Sequence, residues 1–208
     1  GCGSTEVAEP YPTCYLNGSF GPLADARISP LDRGFLFADG VYEVIPVHRS
    51  RPFRLRAHLQ RLDASLAAIR LPNPHDEREW QSILQQLAAA AGGAEMLLYV
   101  QVTRGAETGR NHLFPRPAAP TVFAFASPYP LPSATTLDEG LGAITLDDIR
   151  WARCDIKSVA LLANVLLRQQ AADRGADEAL LVRDGLLLEG SSSSVLLCIG
   201  GTLVTPPN

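Results

Sequence analysis

The hydrophobic period of this chain changes near residue 55 and changes back near residue 95, and few folds accommodate that order. Val41-Tyr-Glu-Val-Ile-Pro-Val-His48 is rich in β-branched and aromatic residues and reads as a strand, with Pro46 pointing to an edge or a bulge. From Arg56 to Ile69 the apolar residues Leu59, Leu62, Leu66 and Ile69 recur three or four apart, which is one face of a helix. A second helix is expected from about Glu77 to Ala91, stopped by Gly92-Gly93. Strands follow at Met96 to Arg104 and Thr121 to Ser127, separated by a loop rich in Gly and Pro from Gly105 to Pro120. Upstream, Tyr15-Leu-Asn-Gly-Ser-Phe reads as a strand and tight turn, because Asn-Gly supplies positive backbone angles. Strands, then helices, then strands again argue for an α+β fold rather than a doubly wound sheet.

Pro128-Tyr-Pro-Leu-Pro holds the chain extended and is the expected linker. It divides the chain into a small α+β domain at 15–127, a linker at 128–136 and a second domain at 137–208. Residues 1–14, opening Gly-Cys-Gly-Ser-Thr, read as a disordered or tag-like tip. The second domain is expected to begin with a strand near Gly142 to Leu146. A helix from Ser158 to Arg174 follows, with Ser158 placed to cap it. Two hairpins complete it, Glu178 to Glu189 around Asp184-Gly185 and Val195 to Thr205 around Gly200-Gly201. No repeat and no Gly-rich phosphate loop of the P-loop or dinucleotide type is present.

The 18 lysine and arginine residues include a single lysine, Lys157. Arginine serves for solvation and ion pairing, but it is always charged and cannot act as an amine nucleophile. A chain that uses arginine throughout and keeps one lysine points to a site needing a neutral primary amine. The alternative is chance in a biased composition. A net charge of −4 leaves no basic block for nucleic acid or an anionic membrane surface. No apolar run reaches spanning length and the first twenty residues lack a leader pattern, so the cytoplasm is the expected location. Cysteines at 2, 14, 154 and 198 show neither metal-ligand nor redox spacing, and Cys154 is expected to be a small buried hydrophobe.

Other side chains could carry chemistry beside Lys157. Glu189 closes a strand before Gly190-Ser-Ser-Ser-Ser194, whose hydroxyls and successive N–H groups form either a solvated turn or an anion site. Arg110 and His112 stand two apart, so in an extended segment both point the same way and can converge on one carboxylate. His58 and Arg61 are three apart on the first long helix, where Arg61 is either a surface cation or a phosphate partner. Tyr42 and Tyr99 lie on strands, a place more often core than site.

Taken in order, these stretches resemble one family. Asp32-Arg-Gly-Phe-Leu-Phe-Ala-Asp-Gly-Val-Tyr42-Glu-Val, His58-Leu-Gln-Arg61-Leu, Val102-Thr-Arg-Gly105 and Asp155-Ile-Lys157-Ser are similar to the class IV, or fold type IV, pyridoxal-phosphate aminotransferases. So are Gly175-Ala-Asp-Glu-Ala and Glu189-Gly-Ser-Ser-Ser193. That family includes D-amino-acid transaminase, branched-chain aminotransferase and aminodeoxychorismate lyase. The Arg110-Asn-His112 pair looks most like the first, which implies transamination between a D-amino acid and a 2-oxo acid. The resemblance implies a small α/β sandwich domain followed by a barrel-like domain. It also implies pyridoxal 5'-phosphate (PLP) bound as a Schiff base to Lys157, which then shuttles the substrate proton. Glu189 would face the pyridine nitrogen, Arg61 the phosphate, and Ser191, Ser192 and Ser193 the ring and its edge. Tyr42, Tyr99, Arg110 and His112 would bind substrate, the last two reaching a neighbouring subunit in a homodimer.

In the family the second domain continues past the hairpin that ends here near Thr205-Pro-Pro, with a helix whose N-terminus cradles the phosphate. The barrel-like domain is therefore expected to be C-terminally truncated. Beside the enzyme readings, which include a branched-chain L-amino-acid transaminase or a lyase of the same fold, stands a silent fragment or paralogue acting as an interaction domain.

Overall fold

Asn17 and Gly18, at φ of 47° and 95°, turn the first strand, β1 (Thr13–Leu16), back along β2 (Ser19–Pro22). The structure is a computed structural model and describes residues 8–129 and 131–206. Cys2 and most of the expected N-terminal tip lie outside the described residues. The part that is described corrects that reading. Tyr11 donates its N–H to the Ala126 carbonyl, and Cys14 is buried within β1.

A five-residue helix, α1 (Arg33–Phe37), is capped by the Asp32 carboxylate on the Gly34 N–H and closed by Ala38 in the left-handed region. It was not anticipated, because fewer than two turns display no period. β3 (Gly40–His48) follows and folds through Arg49 and Ser50 into the two-residue β4 (Arg51–Pro52). Next come α2 (Leu55–Ala68) and α3 (Glu77–Ala91), within a residue of the expected bounds. The second has a reciprocal capping box between Asp76 and Glu79 and stops at Gly92, at φ 68°. β5 (Met96–Thr103) and β6 (Thr121–Pro128) complete an antiparallel sheet of order β2-β1-β6-β5-β3-β4.

The pleat decides which side chains meet the helices. Val41, Glu43, Ile45 and Val47 of β3 and Met96, Leu98, Val100 and Val102 of β5 point into the core with Leu59, Leu62, Leu66, Trp80, Leu84 and Leu87. Tyr42, Val44, Tyr99 and Gln101 occupy the opposite, half-buried face. Pro46 does mark an edge. β4 pairs only with Val47 and His48, and at Pro46 the chain beyond β4 is met through the carbonyl alone, which accepts the Phe53 N–H, so no donor is missed.

The chain divides into two units, and the first takes in Ile156–Ala160 from beyond the linker. The second contains α4 (Ala134–Glu139), β7 (Ala143–Asp147), α5 (Leu162–Asp173), β8 (Glu178–Arg183), β9 (Leu186–Gly190), β10 (Leu197–Ile199) and β11 (Thr202–Val204). β8 pairs parallel to β7 and antiparallel to β9, across the Asp184-Gly185 turn. Leu167 and Ala171 of α5 cover Ala179 and Leu181 of β8. β10 and β11 form the last hairpin through Gly200 and Gly201, both at positive φ. The fold is α+β, and among the described residues no sheet closes into a barrel.

Two expectations are corrected here. The end of the expected linker already belongs to α4, whose N-terminus Ser133 caps through a hydrogen bond from the Thr136 N–H. Ser158 does not cap α5, which starts four residues later at Leu162. Its neighbours' backbone groups are committed elsewhere, and its hydroxyl accepts from the Ala160 N–H.

Candidate cofactor and substrate site

Those commitments place the lysine. The Tyr42 N–H donates to the Lys157 carbonyl (2.9 Å) and the Val159 N–H to the Gly40 carbonyl (3.1 Å), so residues 157–159 run as a short antiparallel bridge along the free edge of β3. On the other side the Lys157 N–H donates to Ser65 Oγ of α2 (3.2 Å), and Ile156 is buried in the main core. The backbone of Lys157 is thus held from two elements while its side chain stays half-buried. Its Nζ lies 4.2 Å from the Tyr42 ring centroid. A cation over an aromatic face is favourable by about 0.5–1 kcal/mol at a partly exposed site.

Tyr42 stacks on Tyr99, with centroids 5.7 Å apart and planes 24° from parallel. Neither is core, contrary to the commoner reading of strand tyrosines. The Tyr99 hydroxyl donates to Gln101 Oε1 (2.8 Å), and burial, with the neighbouring Tyr42, pushes its pKa up to about 12. It is therefore a hydrogen-bond donor throughout the neutral range.

Arg61 lies one turn before Ser65 on α2, on the helix face that receives Lys157. Its Nε and Nη2 both donate to Glu43 (2.5 and 2.8 Å), whose carboxylate also meets His58 Nδ1 at 2.9 Å. Burial drives the Glu43 carboxyl upward, but the hydrogen bonds and charges of Arg61 and His58 outweigh it and hold it below the usual glutamate range. In turn the Glu43 hydrogen bonds raise Arg61, against its own partial burial. The Arg61 side chain remains 52% exposed, so it is anchored at one edge and open at the other.

Arg110 and His112 come together as their spacing suggested, but on Phe37. The Arg110 guanidinium carbon is 4.8 Å and the His112 ring 5.1 Å from the Phe37 centroid. Their aromatic contact is with α1, not with Tyr42 or Tyr99.

In the other unit, Glu189 pairs with Arg150, which is also held by Asp148. The serine turn does hold an anion, and that anion is a side chain. Ser191, Ser192 and Ser193 all donate their hydroxyls to Glu178, the latter two at 3.2 and 2.8 Å, and the Ser191 N–H adds a fourth bond. Burial raises the Glu178 carboxyl, and these donors with the Ala179 N–H and Arg168 more than offset it. Cys154 is exposed, not buried, since it sits in the polar turn Trp151–Asp155 and its Sγ contacts the Trp151 carbonyl.

Glu43, Arg33, Asp39 and Arg104 had no role in the sequence reading, although each lies in a quoted motif. Arg33 and Arg104 are buried and share the Asp39 carboxylate. For Glu43 a signal existed: it is the one charged residue on the inward positions of β3.

The family model described as amino-transferase class IV matches residues 40–208. This chain belongs to the class IV aminotransferases. It is 39% identical to a D-alanine aminotransferase of Bacillus licheniformis over 192 residues, which cover 92% of this chain and 67% of that one. A D-alanine aminotransferase of Staphylococcus epidermidis is 38% identical, with 93% and 68% covered. Among solved structures, a hypothetical aminotransferase from Mycobacterium tuberculosis in PLP-bound form is 29% identical, with a TM-score of 0.79 over 94% of this chain and 71% of that one. The branched-chain aminotransferase of Escherichia coli superposes with a TM-score of 0.85 at 22% identity, over 96% and 68%, and shows the shared fold. The class IV aminotransferase described here is thus a PLP enzyme acting on amino acids and 2-oxo acids. Its first unit fits that cofactor in two respects, a primary amine beside an aromatic ring and a half-open guanidinium on the helix that anchors the amine's backbone. No helix among the described residues is long and apolar enough to cross a membrane.

Proposed function

We propose that this aminotransferase exchanges the amino group of a D-amino acid with a 2-oxo acid, with Lys157 as the amine that bonds to PLP and moves the substrate proton. The observation that carries this is the position of Lys157 Nζ over Tyr42, with the lysine backbone fixed on β3 and α2. The D-alanine aminotransferase relatives support the substrate class. When bound, PLP supplies the electron sink that stabilises the substrate carbanion. Arg61 takes the phosphate, held in aim by Glu43. The Tyr99 hydroxyl, turning its proton from Gln101 to the substrate, and Tyr42 bind the substrate carboxylate side. Glu189 is assigned to the pyridine nitrogen and Ser191, Ser192 and Ser193 to the ring edge by their match to the family motif alone. Arg110 and His112 are assigned to the substrate carboxylate of a neighbouring subunit in a homodimer, in keeping with their exposure.

Borohydride reduction of the chain with PLP, followed by peptide mapping, is expected to find one modified residue, Lys157. Lys157→Arg keeps the charge over Tyr42 and should leave the melting temperature nearly unchanged. It should lower turnover of D-alanine with a 2-oxo acid by at least about a hundredfold, the lower end for a lost general acid–base. Label on another residue, or wild-type turnover by Lys157→Arg, would remove Lys157 from the reaction. Faster turnover of L-leucine than of D-alanine would reverse the substrate class and leave the lysine's role intact.

A further inference from the structure

Residues 108–114 are exposed, and apart from Phe114, whose ring lies 3.7 Å from the Arg104 guanidinium, burial does little to order the loop that carries Arg110 and His112. The order comes from beneath. Arg33 is 3% exposed, and its Nε is committed to Asp39 (2.8 Å). The other guanidinium nitrogens are turned to the loop. Nη1 donates to the carbonyls of Asn111 (2.5 Å) and Leu113 (3.2 Å) and to Glu107 (3.1 Å), and Nη2 donates to the His112 carbonyl (3.4 Å). Three successive carbonyls of one exposed loop therefore converge on one buried cation. One turn further along α1, Phe37 is contacted by Arg33 itself (4.8 Å), by Arg110 and by His112.

A purely structural cation for Asp39 would not need this geometry, because Arg104 already gives that carboxylate two hydrogen bonds (2.9 and 3.1 Å). Arginine offers five donors in a planar fork, whereas lysine offers a compact point charge that cannot span three carbonyls and a carboxylate. Gly105 allows the loop to start where it does. At φ +87° a Cβ there would stand 1.8 Å from the Ala119 carbonyl oxygen, and its own carbonyl receives the Arg33 N–H.

We propose that Arg33 is the positioning residue of the substrate loop, holding the Arg110–His112 backbone so that both side chains are presented on Phe37. The proposal rests on the substrate role given above to Arg110 and His112, and its test separates the two. Arg33→Gln and Arg33→Lys are prepared beside Arg110→Ala, and trypsin cleavage after Arg110 is followed by mass spectrometry on the folded chain. Both Arg33 variants should be cut at Arg110–Asn111 about tenfold faster or more, the scale of one to two lost charge-assisted hydrogen bonds. With D-alanine, KM should rise about tenfold while kcat falls much less, since ground-state binding is what is lost. PLP affinity should be unchanged. Unaltered cleavage in both variants overturns the tether, as does an equal fall in kcat and PLP affinity, which would mark a general structural role. If Arg33→Gln fails to fold, Arg33→Lys keeps a cation for Asp39 and carries the test. A faster cut with KM unchanged in both Arg33 variants and in Arg110→Ala would leave the tether standing and refute the substrate role of the loop.

Discussion

Glu43 shows how one side chain can serve both stability and site geometry. It stands on the inward face of β3 between Val41 and Ile45, where an apolar residue would ordinarily pack, and survives there because Arg61 and His58 neutralise it. Since its folded pKa is depressed, its contribution is present above the unfolded glutamate value and is lost as pH falls toward the folded one. Wild-type melting temperature should therefore fall as pH drops below about 4.3, and Glu43→Gln should be less stable at pH 7 but converge on wild type through that interval. The neutral-pH cost is expected to be about 1–2 kcal/mol, because Arg61 is half exposed and solvent screens part of the pair. A constant gap between the two proteins from pH 7 to pH 3 would remove Glu43 as the titrating group. The alternation of β3 made this position legible. What it could not show was which cations meet the carboxylate, since they come from a helix with its own period.

At the scale of elements, capping chemistry predicted some boundaries and misled at one. α3 has the expected bounds because Asp76, Glu79 and Gly92 are local signals read by the backbone within a turn. Ser158 carries the same kind of signal, yet α5 begins at Leu162, because β3 offers the Lys157–Val159 backbone a partner more than a hundred residues upstream in sequence. No local rule reveals a bridge of that kind. It has a testable consequence. Val159→Pro removes the N–H given to Gly40, and should cost about 1 kcal/mol or more by thermal melting. It should also weaken PLP retention, measured by cofactor absorbance after desalting. Unaltered melting and retention would show that the bridge does not hold the lysine.

For the whole molecule, the Pro-rich segment reads as a boundary, but a boundary in sequence does not allot every later residue to the later unit. Ile156 is buried among the core residues of the six-stranded unit, although it follows the linker. Trp80 reports on that core and Trp151 is exposed in the other unit, so a Trp151→Phe background gives a clean fluorescence signal. There, Ile156→Ala should lower the stability of the Trp80-containing unit by about 2–4 kcal/mol, as for other large apolar side chains cut to alanine in a core. A midpoint unchanged in urea would return Ile156 to the second unit. The α+β order and most strands were visible from periodicity. The two-layer arrangement of Tyr42 outward and Glu43 inward follows from the pleat once β3 is placed between β5 and β4. The serine run left a solvated turn and an anion site equally open, and the anion it does hold, Glu178, lies on a neighbouring strand that spacing alone does not identify.

The stitching of residues 157–159 to β3 also has a meaning for protein engineering. Because the amine takes its address from the sheet rather than from the chain that leads to it, the exposed turn Trp151–Asp155 just ahead of it is open to redesign. Residues added to that turn should leave Nζ above Tyr42, since the bridge to β3 and not the turn sets its place.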